Sequence, residues 1–190
     1  LTPTAQAIGA VNVIYLRENK LTGDNTDAGG FLADLKRFIT TVPYRDDKTQ
    51  RHGDLQALVL GAGGSARSVV YALCNDGWNI TIAARRIEQA QQLASRFEGV
   101  HVMELNPQTF QLSNPQLIVN TTPLGMTPNI NQSPLPENII FSKRTMIYDL
   151  VYNPRETKLV RDARSQGLSA TTGLGMLLEQ AALAFELWTG

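Results

Sequence analysis

The segment Leu58-Val59-Leu60-Gly61-Ala62-Gly63-Gly64-Ser65-Ala66 limits the possible folds of this chain more than any other. It spells strand, then G-x-G-x-x-A, then helix. Gly61 permits a tight turn, Gly63 lets backbone approach a pyrophosphate, and Ala66 lets the helix sit close to the strand. The start of that helix offers free N–H groups and a partial positive charge to phosphates. An ordinary tight turn between a strand and a helix has the same spelling, so the surrounding pattern has to decide.

That pattern is an alternation. Residues 55–60 form a buried-strand run, and 66–74 a helix ending at Asp76-Gly77. Strands are predicted at 79–84, 100–105, 117–121 and 145–151, helices at 87–97 and 157–166, and a last amphipathic helix at 176–188. Such order predicts an α/β fold, a Rossmann-like doubly wound parallel sheet. Ahead of it, residues 10–17 and 21–24 around Glu18-Asn19-Lys20 read as a hairpin. Asn25-Thr26-Asp27 then supplies capping residues for a helix with Phe31, Leu32, Leu35, Phe38 and Ile39 on one face. Residues 41–54, with His52, read as a polar surface loop, and 123–136 as a Pro- and Asn-rich loop long enough to serve a site.

Composition removes several alternatives. The 190 residues suffice for a closed core, and 17 basic side chains balance 17 acidic ones, so no field draws in nucleic acid. One cysteine, Cys74, makes no internal disulfide, and with two histidines it makes no metal cluster of recognisable spacing. Cys74 reads as core, His52 and His101 as structural, and the compartment as reducing and cytoplasmic. No apolar run approaches the roughly 20 residues of a membrane span. The chain opens at Leu1 without an initiator Met and is expected to be a piece of something longer.

The cofactor is read at the end of the second strand of the alternation. An NAD site usually places Asp or Glu there; this chain has Ala84-Arg85-Arg86. Guanidinium groups pair bidentately with a 2′-phosphate, which favours NADP. The alternative is a solvated helix start, although cations there oppose the helix dipole.

Five blocks together resemble the shikimate dehydrogenase family, nearly end to end. They are residues 8–12 (Ile-Gly-Ala-Val-Asn) with 23–27 (Gly-Asp-Asn-Thr-Asp), the glycine turn, Asn120-Thr121-Thr122 with the four residues after it, 148–154 around Asp149-Leu150, and 173–177 (Gly-Leu-Gly-Met-Leu). The resemblance implies reversible NADPH-dependent reduction of 3-dehydroshikimate to shikimate, on the route to chorismate and the aromatic amino acids. Asp27 matches the catalytic Asp. Asn12 and Gln180 match residues that hydrogen-bond substrate hydroxyls, Tyr152 a tyrosine near substrate, and Gly173 a point where backbone meets the nicotinamide. The turn residues 61–66, Arg67, Ala84-Arg85-Arg86, Asn120-Thr121-Thr122, Leu150 and Met176 fall on the cofactor side. Two positions depart from the pattern: Ala84 stands where the family has Asn, and Thr172 where it often has Asp.

The family's catalytic Lys lies in a preceding substrate domain, and none of Lys20, Lys36, Lys48, Lys143 and Lys158 has that context. The expected division is therefore a substrate-domain remnant and hinge at 1–27, a nucleotide domain at 28–175, and a helix at 176–190 returning toward the substrate domain. The chain is expected to be mainly the cofactor-binding part and inactive alone. Plainer roles stay open: Asp27 as N-cap of a helix beginning near Gly29, Asn12 as a strand-end turn former, Gln180 as an exposed helix residue. A non-catalytic NADP-binding module and an NAD-preferring quinate dehydrogenase are the alternative functions. Met176, Leu177, Ala181, Ala184 and Phe185 form a stripe expected to pack first; left exposed, it points to a homodimer.

Overall fold

The computed structural model describes residues 1–42, 55–106, 115–137 and 139–190. The expected loop at 41–54, with His52, lies outside them from residue 43 onward. Helix α1 (Pro3–Ile8) leads into strands β1 (Val13–Arg17) and β2 (Lys20–Asp24), then α2 (Asp27–Thr40). The alternating part follows as β3 (Gln56–Leu60), α3 (Gly64–Asn75), β4 (Asn79–Ala84), α4 (Ile87–Ala94), β5 (His101–Glu104), β6 (Leu117–Asn120), β7 (Met146–Asp149), α5 (Lys158–Ser165), β8 (Ser169–Thr172) and α6 (Leu174–Thr189).

β1 and β2 pair antiparallel, with Arg17 opposite Lys20. Glu18 and Asn19 both take positive φ, 50° and 59°, as a two-residue turn matching strand twist requires. The other six strands form one sheet in the order β5-β4-β3-β6-β7-β8, every pair parallel. The chain winds outward from β3 to β5, then restarts on the far side of β3 with β6. The crevice above β3 and β6, where the winding reverses, is where such sheets bind ligands.

Alternation along the strands fills two cores. Val59 faces one side with Val69, Val70 and Leu73 of α3, while Leu58 and Leu60 face the other with Leu159, Val160 and Ala163 of α5. No helix among the described residues is long and apolar enough to cross a membrane.

Several boundaries differ from the sequence reading. α1 is unforeseen, although its marks are present: Thr2 caps it by accepting from the Ala5 N–H (3.2 Å), and Gly9 closes it at φ 70°. β8 is also unforeseen, because Ser-Ala-Thr-Thr carries no apolar alternation and is defined only by pairing with β7. α4 stops at Ala94, three residues short of the expected end. α2 starts at Asp27, not near Gly29, and the side-chain cap is Asn25, whose Oδ1 accepts from the Ala28 N–H at 3.2 Å.

The expected stripe on α6 is rotated. Met176 and Ala184 are buried, but Phe185 is 63% exposed and Ala181 is exposed. α6 is apolar nearly all round, so periodicity cannot select its inner face. Glycines on α2 select it instead. A Cβ at Gly30 would lie 2.6 Å from the Gln180 amide nitrogen, and one at Gly29 would lie 3.0 Å from Leu183. The two helices therefore cross at backbone distance, with Gln180 and Leu183 turned inward. At the far end of α6 the Trp188 indole N–H donates to the Ile14 carbonyl of the hairpin, at 3.0 Å.

Candidate active site

The crevice is built where the ends of β3 and β6 are stitched together. Gly61 sits at φ 104°, and a side chain there would meet Thr121 Oγ1 at 2.9 Å. Its N–H donates to the Ala83 carbonyl at 2.8 Å, while the Thr121 N–H and hydroxyl both donate to the Leu60 carbonyl, at 3.0 and 2.7 Å. Gly63 and Gly64 differ: a Cβ on either meets nothing within 4 Å. Gly63 needs no glycine for contacts within the protein, so its openness leaves room for a ligand beside the first turn of α3. Ala66 is fully buried beneath that turn, and Ser65 is exposed.

Two clefts adjoin here and share Thr121, Thr122 and Pro123. The smaller, about 170 Å³, is walled by Gly61, Ala62, Gly63, Ala84, Arg85 and Arg86. The larger, about 380 Å³, is walled by Ser65, Leu150, Val151, Tyr152 and Asn153. Arg85 and Arg86 are exposed, and neither pairs with a carboxylate among the described residues. Arg86 is also the N-cap residue of α4 and makes no side-chain cap bond. Two exposed cations at a helix start, without a carboxylate partner among the described residues, form an anion-seeking arrangement. Arg67 is turned elsewhere: its guanidinium donates to the Gly9 carbonyl at 2.9 Å, closing α1.

A second constellation joins three remote parts of the chain. Asn12, just before β1, donates through Nδ2 to Asp27 Oδ1 at 2.8 Å and to Thr26 Oγ1 at 2.9 Å, and its Oδ1 accepts the Thr26 N–H at 2.9 Å. Gln180 Oε1 lies 3.4 Å from both Asn12 Nδ2 and Thr26 Oγ1. The hairpin and the middle of α6 thus meet at the start of α2: Asn12 holds the Asp27 carboxylate, and Gln180 reaches Asn12 and Thr26 beside it. Burial raises the pKa of Asp27 above the ordinary carboxylate value, with the Asn12 hydrogen bond opposing the shift. Thr26 was missing from the sequence reading, where it counted only as a capping residue. Tyr152 lies apart from this cluster, 47% exposed on the wall of the larger cleft.

Beneath the shared floor lies a buried network. Asn120 donates through Nδ2 to Asp149 Oδ1 (2.8 Å), and its Oδ1 accepts the N–H and hydroxyl of Thr122, at 2.9 and 2.7 Å. Asp149 also accepts the Val151 N–H (3.1 Å) and the Thr157 hydroxyl (2.6 Å). Asn120 is 0% exposed, so its side chain shapes the Thr121-Thr122 floor from below.

Burial pushes the Asp149 pKa up from the usual 3.8 to about 6, against the hydrogen bonds from Thr157, Val151 and Asn120. The folded chain therefore holds this proton more tightly than the unfolded chain. The resulting stability is fully present below about pH 4 and is lost as pH rises to about 6, a difference on the order of 3 kcal/mol. Urea unfolding of the wild type and of Asp149→Asn across that window measures it. The difference in stability between the two should drift by that order between pH 4 and 6 and stay level above; a constant difference throughout would refute the raised pKa.

The block at 173–177 acquires a physical reason. A Cβ at Gly173 would overlap the Leu150 carbonyl, and one at Gly175 would overlap the Asp34 carboxylate. Both glycines let the start of α6 press onto β7 and α2, which puts Gly173 behind Leu150 of the larger cleft. Met176 is buried there.

Known proteins share this fold. Residues 45–164 match the family model described as shikimate / quinate 5-dehydrogenase, and 173–190 match the shikimate 5′-dehydrogenase C-terminal domain. Shikimate dehydrogenase (NADP+) of Carboxydothermus hydrogenoformans is 42% identical over 190 residues, covering 98% of this chain and 64% of that protein. Its counterpart in Salinibacter ruber is 39% identical over 202 residues, covering 100% of this chain and 66% of that protein. The crystal structure of shikimate 5-dehydrogenase from Thermus thermophilus, in complex with NADP(H) and shikimate, superposes with a TM-score of 0.81 at 40% identity, over 100% of this chain and 66% of that one. The chain thus spans slightly less than two thirds of the relatives it matches. With a six-stranded parallel sheet wound about β3, a glycine turn opening on the crevice and a family model covering most of its length, the chain belongs to the shikimate/quinate 5-dehydrogenase family.

Proposed function

We propose that this chain serves an NADP-dependent shikimate dehydrogenase of the cytoplasm, which reduces 3-dehydroshikimate reversibly to shikimate. The observation that carries this reading is the partly desolvated Asp27 carboxylate held by Asn12, with Gln180 reaching the same Asn12 amide and the Thr26 hydroxyl beside it. A module that only bound nucleotide has no use for such a cluster. The cofactor fits the residues present. Gly63 and Gly64 leave room for a pyrophosphate beside α3, Arg85 and Arg86, without a carboxylate partner among the described residues, would take a 2′-phosphate, and Leu150 and Gly173 would border the nicotinamide end.

Held by these residues, NADPH would supply the hydride for the substrate's carbonyl carbon, and the carbonyl oxygen would need a proton. Asp27 handles that proton, its raised pKa bringing it closer to working pH than an ordinary carboxylate. Asn12 orients the carboxyl, and Gln180 hydrogen-bonds a substrate hydroxyl beside it. Tyr152, on the far wall of the larger cleft, closes the substrate side. Residues 1–27 act as the substrate-side edge and hinge, 28–175 as the nucleotide domain, and the last helix as the return toward the substrate side; the Trp188 bond to Ile14 supports that path. Ile14, Leu16, Leu21, Phe185 and Trp188 are exposed, and a homodimer is the proposed cover for part of this apolar surface.

Fluorescence titration with NADPH and NADH, followed by an assay of 3-dehydroshikimate reduction by this chain and by the chain extended to its relatives' length, tests the reading. NADPH should bind more tightly, and enzyme-like rates should require the extended protein. Equal affinity for the two nucleotides would sink the arginine assignment, and quinate oxidation with NAD in preference would shift the reading to a quinate dehydrogenase.

A further inference from the structure

Tyr148 and Asp34 form a buried polar contact that neither the glycine turn nor the Asp27 cluster uses. Tyr148, fully buried on β7, donates its hydroxyl to Asp34 Oδ2 on α2 at 2.5 Å, and Gly175 of α6 rests so close to that carboxylate that a Cβ there would overlap it. The other Asp34 oxygen pairs with Arg37, whose guanidinium continues to Glu179 of α6 at 2.6 Å. One hydroxyl and one carboxylate therefore tie three elements together.

Packing does not require this chemistry. The rings of Phe31 and Phe38 already meet Tyr148 edge-on, with centroids 5.1 and 6.3 Å away, and a phenylalanine would keep those contacts. The polar pair adds direction. A helix start held only by apolar contact can slide or turn, whereas one whose Gly175 rests on a fixed carboxylate and whose Glu179 pairs with the adjoining Arg37 has both its height and its rotation set. Gly173, three residues before Met176, presses on the Leu150 carbonyl at the larger cleft. Gln180, about one turn beyond Met176, reaches the Asp27 cluster.

We propose that Asp34 and Tyr148 are positioning residues that set the register of α6 against β7, holding the Leu150–Gly173 wall and Gln180 in one geometry. The proposal rests on the nucleotide reading above, with the nicotinamide at that wall and the adenosine half at Arg85 and Arg86. It makes the two halves of the cofactor respond differently to a distant change.

The test uses the full chain with Tyr148→Phe, titrated with NADPH and with 2′-phosphoadenosine 5′-phosphate, which lacks the nicotinamide half. NADPH should weaken about tenfold, the scale of one lost hydrogen bond to a charged partner. The adenosine-half ligand should change by less than about twofold, showing also that the fold is intact. Asp34→Asn, which keeps an acceptor for the hydroxyl, should show the same selective loss at smaller size, and it carries the test if Tyr148→Phe does not fold. Equal weakening of both ligands, or weakening of neither, in a folded variant overturns the positioning role. A wild-type chain that binds neither ligand overturns the nucleotide reading, and this inference with it.

Discussion

Asp27→Asn is expected to lower the rate of 3-dehydroshikimate reduction by about 10²- to 10⁴-fold, the span associated with removing a group that transfers a proton in the transition state. The substitution is chosen because an amide keeps an oxygen for the Asn12 donor, which lies 2.8 Å from Asp27 Oδ1. It leaves the start of α2 alone, since the cap there is the Asn25 side chain. The fold and the NADPH affinity should therefore persist while turnover falls, measured as kcat in the length-extended protein. The pH profile gives a second check. Burial raises the Asp27 pKa, so in the wild type a limb tracing to this group should appear above the ordinary carboxylate range and vanish in the variant. A loss confined to KM would mean that Asp27 only holds substrate.

The second large effect concerns the cofactor. Replacing Arg85 and Arg86 together by alanine should weaken NADPH binding by about 100-fold and NADH binding by less than about threefold, since each charge-assisted contact to a phosphate contributes about 1.5–3 kcal/mol and partial solvation discounts both. The sign follows from the site: both side chains are exposed, lack a carboxylate partner among the described residues, and border the cleft that the glycine turn opens onto. The alanines should not harm the fold, because Arg86 makes no cap bond and a cation at the start of α4 opposes its dipole. A small gain in thermal stability alongside the loss of NADPH affinity would be the full signature. Equal loss of both nucleotides would make the pair structural.

The family motifs were legible as spelling, and their reasons emerge from contacts. Gly61 was read as a turn glycine, and its φ of 104° agrees. The resemblance marks Gly173 as a point where backbone meets the nicotinamide and Gly175 only as part of a block; both are glycines because the Leu150 carbonyl and the Asp34 carboxylate occupy the space of their side chains. Asp34 itself left a trace, an acid set beside Phe31, Leu35 and Phe38 on the apolar face of α2, although its partner Tyr148 lies 114 residues away. The resemblance puts Arg67 on the cofactor side, whereas its long side chain here reaches the Gly9 carbonyl.

The sequence by itself determined the alternation of strands and helices, the glycine turn and the pair of arginines, since each is set by neighbours within a few residues: backbone freedom at glycine, periodicity along one element, charge at one helix start. Tertiary structure alone decided which face of α6 turns inward, that Asn12 meets both Asp27 and, from the far end of the chain, Gln180, and that Tyr148 and Asp34 join three elements. Those outcomes depend on how closely two backbones approach, as at Gly30 and Gln180, and on partners up to 168 residues apart, which no local pattern specifies.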